Sequence, residues 1–409
     1  MKAADRVTVA ALGTFFVVVQ FYTSLAALAP TPAVGYVFAT RPAAAALIAL
    51  LGLSAAVCAF RLWREPAPPP PASRALLIAW IGSALAASLL GLDPLSGLQV
   101  VAMMLLAGAF HLGLVRYGSV AGSLRVVLGA YLWVGLIAVV ASLAMLVART
   151  PAELFALNHG RAAGVFVTAN QFAAFLILFL FVALGMALST RAGLRAPAAA
   201  GAVLALVALG TTLSLAGALG AAAGAVFLSF ASGARRLGTG LALAFAVAAV
   251  AVALRPVAGH ERANTFDRLR TWSAGARVAE LFPLTGAGPM AYWRVYPAVR
   301  PANGDLPGTF GALHPHDAYL SLAGETGLLG LGALVYGWWR IATELRAALL
   351  RRAPRERLLA LGVCAGLCAT LVQGVFDTIG IVEMCFVWIP FTALALAAAE
   401  TGAPSGRTA

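Results

Sequence analysis

The sequence predicts an all-α polytopic membrane protein of about 12 transmembrane helices with one long outer loop. Three observations predict it. Over 409 residues, 62% are hydrophobic and 11% charged, with a mean hydropathy of +0.92, against ~45–50% apolar and ~25% charged in soluble domains. The apolar residues fall in runs of roughly 17–25, enough to cross ~30 Å of hydrocarbon. Arg, Pro and Gly clusters bound those runs. Together they exclude a soluble enzyme, a disordered chain, a coiled coil, a collagen and a disulfide scaffold. Cys58, Cys364, Cys368 and Cys385 fall inside apolar runs and read as small buried hydrophobes.

In chain order the expected spans are 7–29, 34–60, 75–91, 95–115, 125–147, 164–188, 198–213, 215–231, 238–255, 318–339, 358–376 and 380–398. The seventh and eighth, flanking Thr211, Thr212 and Ser214, are read as two short spans, with one long broken segment as the alternative. A short basic lead, Met1–Arg6, precedes an apolar run too long for a removable signal, so the first span is expected to remain. With that lead in the cytoplasm, the short inner loops take Arg61, Arg64, Arg74, Arg116, Arg125, Arg191, Arg195, Arg235, Arg236 and the arginines of 340–357, as the positive-inside rule asks. Both termini are then expected to be cytoplasmic. The chain divides into helices one to nine (1–254), a long outer loop (255–317), and helices ten to twelve with a cytoplasmic tail (318–409).

The net charge is +13, and Lys2 is the only lysine among 28 cations. A chain this embedded excludes nucleic acid as the partner and leaves membrane lipids or another anionic ligand. The loop 255–317 runs against the inside rule, holding Arg255, Arg262, Arg268, Arg270, Arg277, Arg294 and Arg300 with His260, His314 and His316. Guanidinium forks suit a phosphate or diphosphate, although lipid headgroups are the commoner partner of any single arginine. Thr265–Glu280 predicts a membrane-surface helix, with Phe266, Leu269, Trp272, Ala276 and Ala279 near one stripe and Arg268 and Arg270 off it. Pro283-Leu-Thr-Gly286-Ala-Gly288-Pro289 permits a tight turn; as a phosphate loop it is a weak signal. Asp317 is placed to cap the following span, putting His316 at its mouth, where the helix dipole favours anions. His/Cys/carboxylate spacing gives no metal site.

Four stretches are similar to the O-antigen ligase and O-antigen polymerase superfamily of bacterial envelope glycosyltransferases. They are Arg161-Ala-Ala-Gly164-Val-Phe166 through Asn170, Arg268-Leu-Arg-Thr-Trp272, Pro283 through Gly288, and His316-Asp-Ala-Tyr319-Leu through Glu325-Thr-Gly327-Leu-Leu-Gly330. The resemblance covers residues 161–330 and joins these stretches to one long loop between late spans. It implies a C-type glycosyltransferase-like fold in the bacterial inner membrane. It further implies metal-independent, cofactor-free transfer of a glycan from undecaprenyl diphosphate to an acceptor at the periplasmic face. The acceptor would be a glycan, a lipid A core or a protein, in polysaccharide or lipopolysaccharide biosynthesis. By the same resemblance His316 is the base for the acceptor hydroxyl and Arg268 engages the diphosphate.

The chain departs from the family in two places. Ser214-Leu215-Ala216-Gly217 stands where Ser-Arg-Gly is usual, so a second diphosphate cation must come from Arg270, Arg262 or Arg161. His316-Asp317 replaces His-Asn. Supporting roles fall to Glu325, Tyr319, Asp317, Gly286 and Gly288, with Glu325 expected to orient His316 or bind an arginine. Asp377 and Glu383 flank the last outer turn, Asn170 and Gln171 suit helix-to-helix bonds, and His111 and His159 read as structural. The alternative is a transporter, flippase or non-catalytic binder of lipid-linked oligosaccharide, whose mark is ionisable residues along a path through the bilayer and helices broken at mid-depth.

Overall fold

The structure is a computed structural model that describes residues 3–19, 42–118, 122–150, 152–166, 168–189, 193–254, 259–299, 314–376 and 381–400. Its regular elements among these are all helices: α1 (Ala3–Val19), α2 (Pro42–Arg64), α3 (Pro71–Leu90), α4 (Pro94–Tyr117), α5 (Ser123–Ala148), α6 (Ala152–Leu157), α7 (Ala169–Leu188) and α8 (Arg195–Thr212). There follow α9 (Leu215–Ser232), α10 (Arg235–Leu254), α11 (Gly259–Leu281), α12 (Tyr292–Val299), α13 (Ala318–Leu350), α14 (Pro354–Gln373) and α15 (Ile381–Glu400). Eight of them, α3, α4, α5, α7, α8, α9, α13 and α14, are long and apolar enough to cross a membrane. The protein is therefore a helical, multi-pass membrane protein. Large apolar side chains on the outside of the bundle, among them Leu89, Leu105, Ile137, Val203 and Val335, suit a hydrocarbon surround.

Local chemistry sets where the helices begin. Prolines occupy the first turn of α3, α4 and α14, where the missing N–H costs nothing. Asp93 caps α4 by accepting from Ser96 N. Thr168 and Gln171 form a capping box at α7, each side chain accepting from the other's backbone N–H. Ser214 caps α9, accepting from Gly217 N at 3.2 Å.

Helix α7 is apolar all round, as a central helix must be, and its phenylalanines stack in series, Phe172 on Phe175 and Phe175 on Phe179. Around it α8 and α9 settle the ambiguity at Thr211–Ser214. Gly201 of α8 faces Phe179, and Thr212 comes back to the start of α7, so α8 runs antiparallel to α7. Gly217, Gly220 and Gly224 of α9 meet Ala173, Ile177 and Phe181 in turn, so α9 runs parallel to it. They are two crossings in opposite directions, reversed at Leu213 (φ 49°).

Hydrogen bonds sort the helix ends into two groups. At one end Arg61 pairs with Asp5 and Glu65, Tyr117 donates to Glu65, Glu344 accepts from Ala72 N, and Arg352 donates to the carbonyls of Ala399 and Glu400. At the other lie the α3–α4 turn, residues 158–170, Thr212, α11, α12, His316 and Gly374. His111, expected to be structural, ties α4 to α3 and α15: Nδ1 donates to the Ile389 carbonyl at 2.9 Å and Nε2 pairs with the Ser73 hydroxyl at 2.9 Å.

The expected tenth span, 318–339, differs. Helix α13 continues to Leu350 and breaks at Gly327 (φ 64°, ψ −164°), so 328–350, about 34 Å of helix, lies along α3 with Gly337 on Leu76. A broken helix leaves N–H and C=O groups that must be bonded if buried. The segment Pro283–Gly288 supplies four such partners. Leu328 N donates to Pro283 O (2.9 Å) and Leu329 N to Leu284 O (3.1 Å), while Ala287 N donates to Gly324 O (2.8 Å) and Gly288 N to Glu325 O (3.0 Å). Gly286 (φ 70°) lies so close to the Glu325–Thr326 backbone that a Cβ there would collide with it, as would one at Gly327 with Leu284. Leu92 N, in the α3–α4 turn, donates to Ala287 O at 2.7 Å, clamping the segment from its other side.

Gly286→Ala is expected to cost roughly 1–3 kcal/mol through forced displacement and backbone strain, and Gly332→Ala, whose Cβ would meet open space, almost nothing. Thermal unfolding of the purified protein in detergent checks this; equal midpoints for the two variants would contradict the clasp.

Candidate functional site

Helix α11 carries the basic stretch. The sequence places Arg268 off its apolar stripe, but the buried face is Thr271, Ala274, Gly275 and Val278, while Leu269 is 54% exposed. Small residues win that face because it packs closely: Gly275 touches Pro315 and Leu320, and Val278 lies against Gly324. The shift puts Arg268 on the packed side, where its guanidinium donates to the Phe376 carbonyl at 3.1 Å. One turn on, Trp272 rests its ring 6.3 Å from that of Phe376 and donates Nε1–H to the His316 carbonyl at 3.3 Å. Trp272 and Phe376 thus link Arg268 to His316. Arg270 is exposed, about 200° round the helix from Arg268, and the structure does not bring it to this face. Arg262 belongs to α11, but its side chain lies outside the described residues, as do those of His260 and Glu383, and Asp377 entirely.

His316 is 5% exposed and has φ 53°. Its position follows from the cap beside it. Asp317 accepts from Tyr319 N and Leu320 N, both at 2.8 Å, and Ala318 N donates to Gly374 O at 2.7 Å. Burial raises the Asp317 carboxyl pKa against the lowering effect of those two N–H bonds. One carboxylate oxygen accepts both bonds, which makes Asp317 an effective cap. Tyr319 anchors the same turn by donating to the Leu371 carbonyl at 2.8 Å. The His314 ring stands 4.4 Å from that of His316, edge to face. Burial brings the His314 pKa down to about 4.

Arg161 joins from another direction. Its Nε donates to Thr212 O (2.8 Å) and a terminal nitrogen to Asn170 Oδ1 (3.0 Å), while Gln373 donates to the Asn170 carbonyl at 3.4 Å. Gln373 adjoins Gly374, the partner of Ala318, so the chain of contacts closes on His316. The guanidinium lies against Thr212 at the end of α8, two residues before the Ser214 cap of α9.

The loop glycines are not an anion cradle. The N–H groups of Gly286, Ala287 and Gly288 all go to backbone carbonyls, of Phe282, Gly324 and Glu325. Glu325 is buried; burial raises the pKa of Tyr292, with smaller contributions from Tyr296 and Glu325. Asp93 pairs with Arg294 and receives Ser96 N–H and O–H; burial raises its pKa, but these partners outweigh that and lower it. Sequence reasoning missed this pair, Gln373, Phe376 and the anchoring role of Trp272, because each acts across contacts distant in the chain. Among the described residues no three His, Cys, Asp or Glu side chains gather as a metal site. The chain matches no protein-family model and no curated protein.

The unfolded chain takes up a proton on His314 near pH 6.5, whereas the folded ring waits until about pH 4. The unfolded state therefore binds more protons between those values, and stability falls as pH drops through that window. His314→Gln is expected to lose less thermal stability than the parent between about pH 7 and pH 5; identical losses would contradict a ring held neutral in the fold.

Proposed function

We propose that the chain is an O-antigen ligase or polymerase-like glycosyltransferase of the bacterial inner membrane, with about 12 spans, residues 255–317 in the periplasm and both termini in the cytoplasm. It moves a glycan from undecaprenyl diphosphate to an acceptor hydroxyl on a glycan, a lipid A core or a protein. The observation that carries this reading is convergence: the stretches around Arg161, Arg268, Gly286 and His316 meet at one end of the bundle through the hydrogen bonds above. A donor diphosphate and an activated hydroxyl must meet in the same way.

In the proposed reaction the His316 imidazole accepts the proton of the acceptor hydroxyl. That oxygen bonds to the anomeric carbon, and the carbon–oxygen bond to the diphosphate breaks, its electron pair leaving on undecaprenyl diphosphate. Fixed guanidinium groups stabilise the charge that grows there. Arg268 is one. Of the candidates for the second, Arg161 is favoured: Thr212 and Asn170 orient its fork beside the Leu215 position, while Arg270 faces away. No metal or cofactor enters this scheme.

A transporter would call on the break in α13. Its backbone groups are already bonded by Pro283–Gly288, which supports transfer over passage.

His316→Ala is expected to lower release of undecaprenyl diphosphate from a lipid-linked glycan by roughly 10²–10⁴-fold with donor binding retained. Arg161→Lys is expected to weaken donor affinity, because a point charge does not reproduce the fork, and Arg270→Gln to leave it nearly unchanged. Parental turnover in His316→Ala, measured with purified protein, donor and acceptor, would remove the base. Equal donor affinities in the two arginine variants would remove Arg161 from the diphosphate.

A further inference from the structure

A second concavity lies outside the proposed chemistry. Between α9, α13 and α14 the bundle opens a cavity of about 370 Å³. Its walls are almost wholly apolar, with Trp338, Leu345 and Leu349 from α13 facing Leu361 and Leu367 from α14. From Arg357 to Leu371 this wall rises about 21 Å, most of the thickness of one hydrocarbon core. Among the described residues its charged lining is Arg346 and Arg357, both at the end away from His316. Arg346 is exposed. Arg357 is held in place by donating to the carbonyls of Arg352 and Leu350. Among the described residues no carboxylate lines the cavity, and the nearby Glu344 accepts from Ala72 N. The turn between α13 and α14 adds Arg351 and Arg352, and the first turn of α14 adds Arg355, at the same end.

A dry trough with guanidinium groups at one mouth is complementary to an amphiphile with a hydrocarbon chain and an anionic head. The position of the charge decides which amphiphile. A lipid whose phosphate is bound beside His316 carries its head at the opposite end of the bundle. We propose that this cleft binds one acyl chain of an anionic glycerophospholipid from the leaflet remote from His316, with Arg346 and Arg357 on its phosphate. The cleft stands without the transfer reading, but the choice of a glycerophospholipid over a polyprenyl diphosphate rests on it.

The experiment places the full-length protein in phosphatidylcholine vesicles and follows quenching of Trp338 by lipids brominated on their acyl chains, with Trp338→Phe subtracted to isolate that residue. Brominated phosphatidylglycerol is expected to quench Trp338 at lower content than brominated phosphatidylcholine. Arg346→Gln is expected to weaken that preference about fivefold, the share of one basic residue at an anionic surface, and Arg346→Lys to keep most of it. Equal quenching by the two lipids, or a preference that Arg346→Gln leaves intact, would overturn the proposal. So would displacement of brominated phosphatidylglycerol by a polyprenyl diphosphate, which would give the cleft to a donor tail.

Discussion

Backbone groups exposed by a broken helix have to be bonded before such a helix can sit in a packed, water-poor bundle, and this constraint organises the end of the protein where its polar chemistry gathers. Gly327 interrupts α13, and four of the backbone groups beside the break are taken up by Pro283–Gly288. Since an unmet buried amide or carbonyl costs on the order of 1–3 kcal/mol, the pairing fixes the two segments against each other. Leu92 then binds Ala287, bringing in the α3–α4 turn, and Asp93 in that turn meets Arg294 of α12.

From this junction the geometry of the histidine follows. The part of α13 before the break is directed by its bonds to the clasp at one end and by Ala318 on Gly374 at the other. Helix α11 lies along it because Gly275 and Gly324 leave room. His316 is thereby held against Trp272, and Arg268 is one helical turn away on the same face. Arg161 depends on a different support, the reversal between α8 and α9, which offers it the Thr212 carbonyl. Two independent parts of the bundle therefore present guanidinium groups toward one end. The other end takes the denser run of arginines and the charged mouth of the apolar cleft, so the two ends carry different chemistry.

Much of the fold was legible because membrane-spanning helices write themselves as long apolar runs; the crossings at α3, α4, α5, α7, α8, α9 and α14 sit close to where hydropathy puts them. The cap at Asp317 was legible too, being a local pattern of one side chain and two amides. The break at Gly327 was not, because Thr326-Gly327-Leu328 reads as uninterrupted helix and only the distant Pro283–Gly288 makes the break tolerable. The orientation of α11 was hidden for a related reason: Leu269 outweighs Ala274 and Gly275 in hydrophobicity, yet close packing selects the small residues. Gly286 and Gly288 read as a turn from the sequence. That their amides are consumed by backbone carbonyls, the Gly288 amide by α13 itself, depends on a residue pairing no spacing rule contains.

The account's central claim is the bonded junction between Pro283–Gly288 and the break in α13. Amide hydrogen exchange on the purified protein reads it directly, through the N–H groups of Ala287, Gly288, Leu328 and Leu329. Protection of all four, comparable with the interior of α7, is the expected result. Exchange at the rate of solvent-exposed loops at these positions would contradict it.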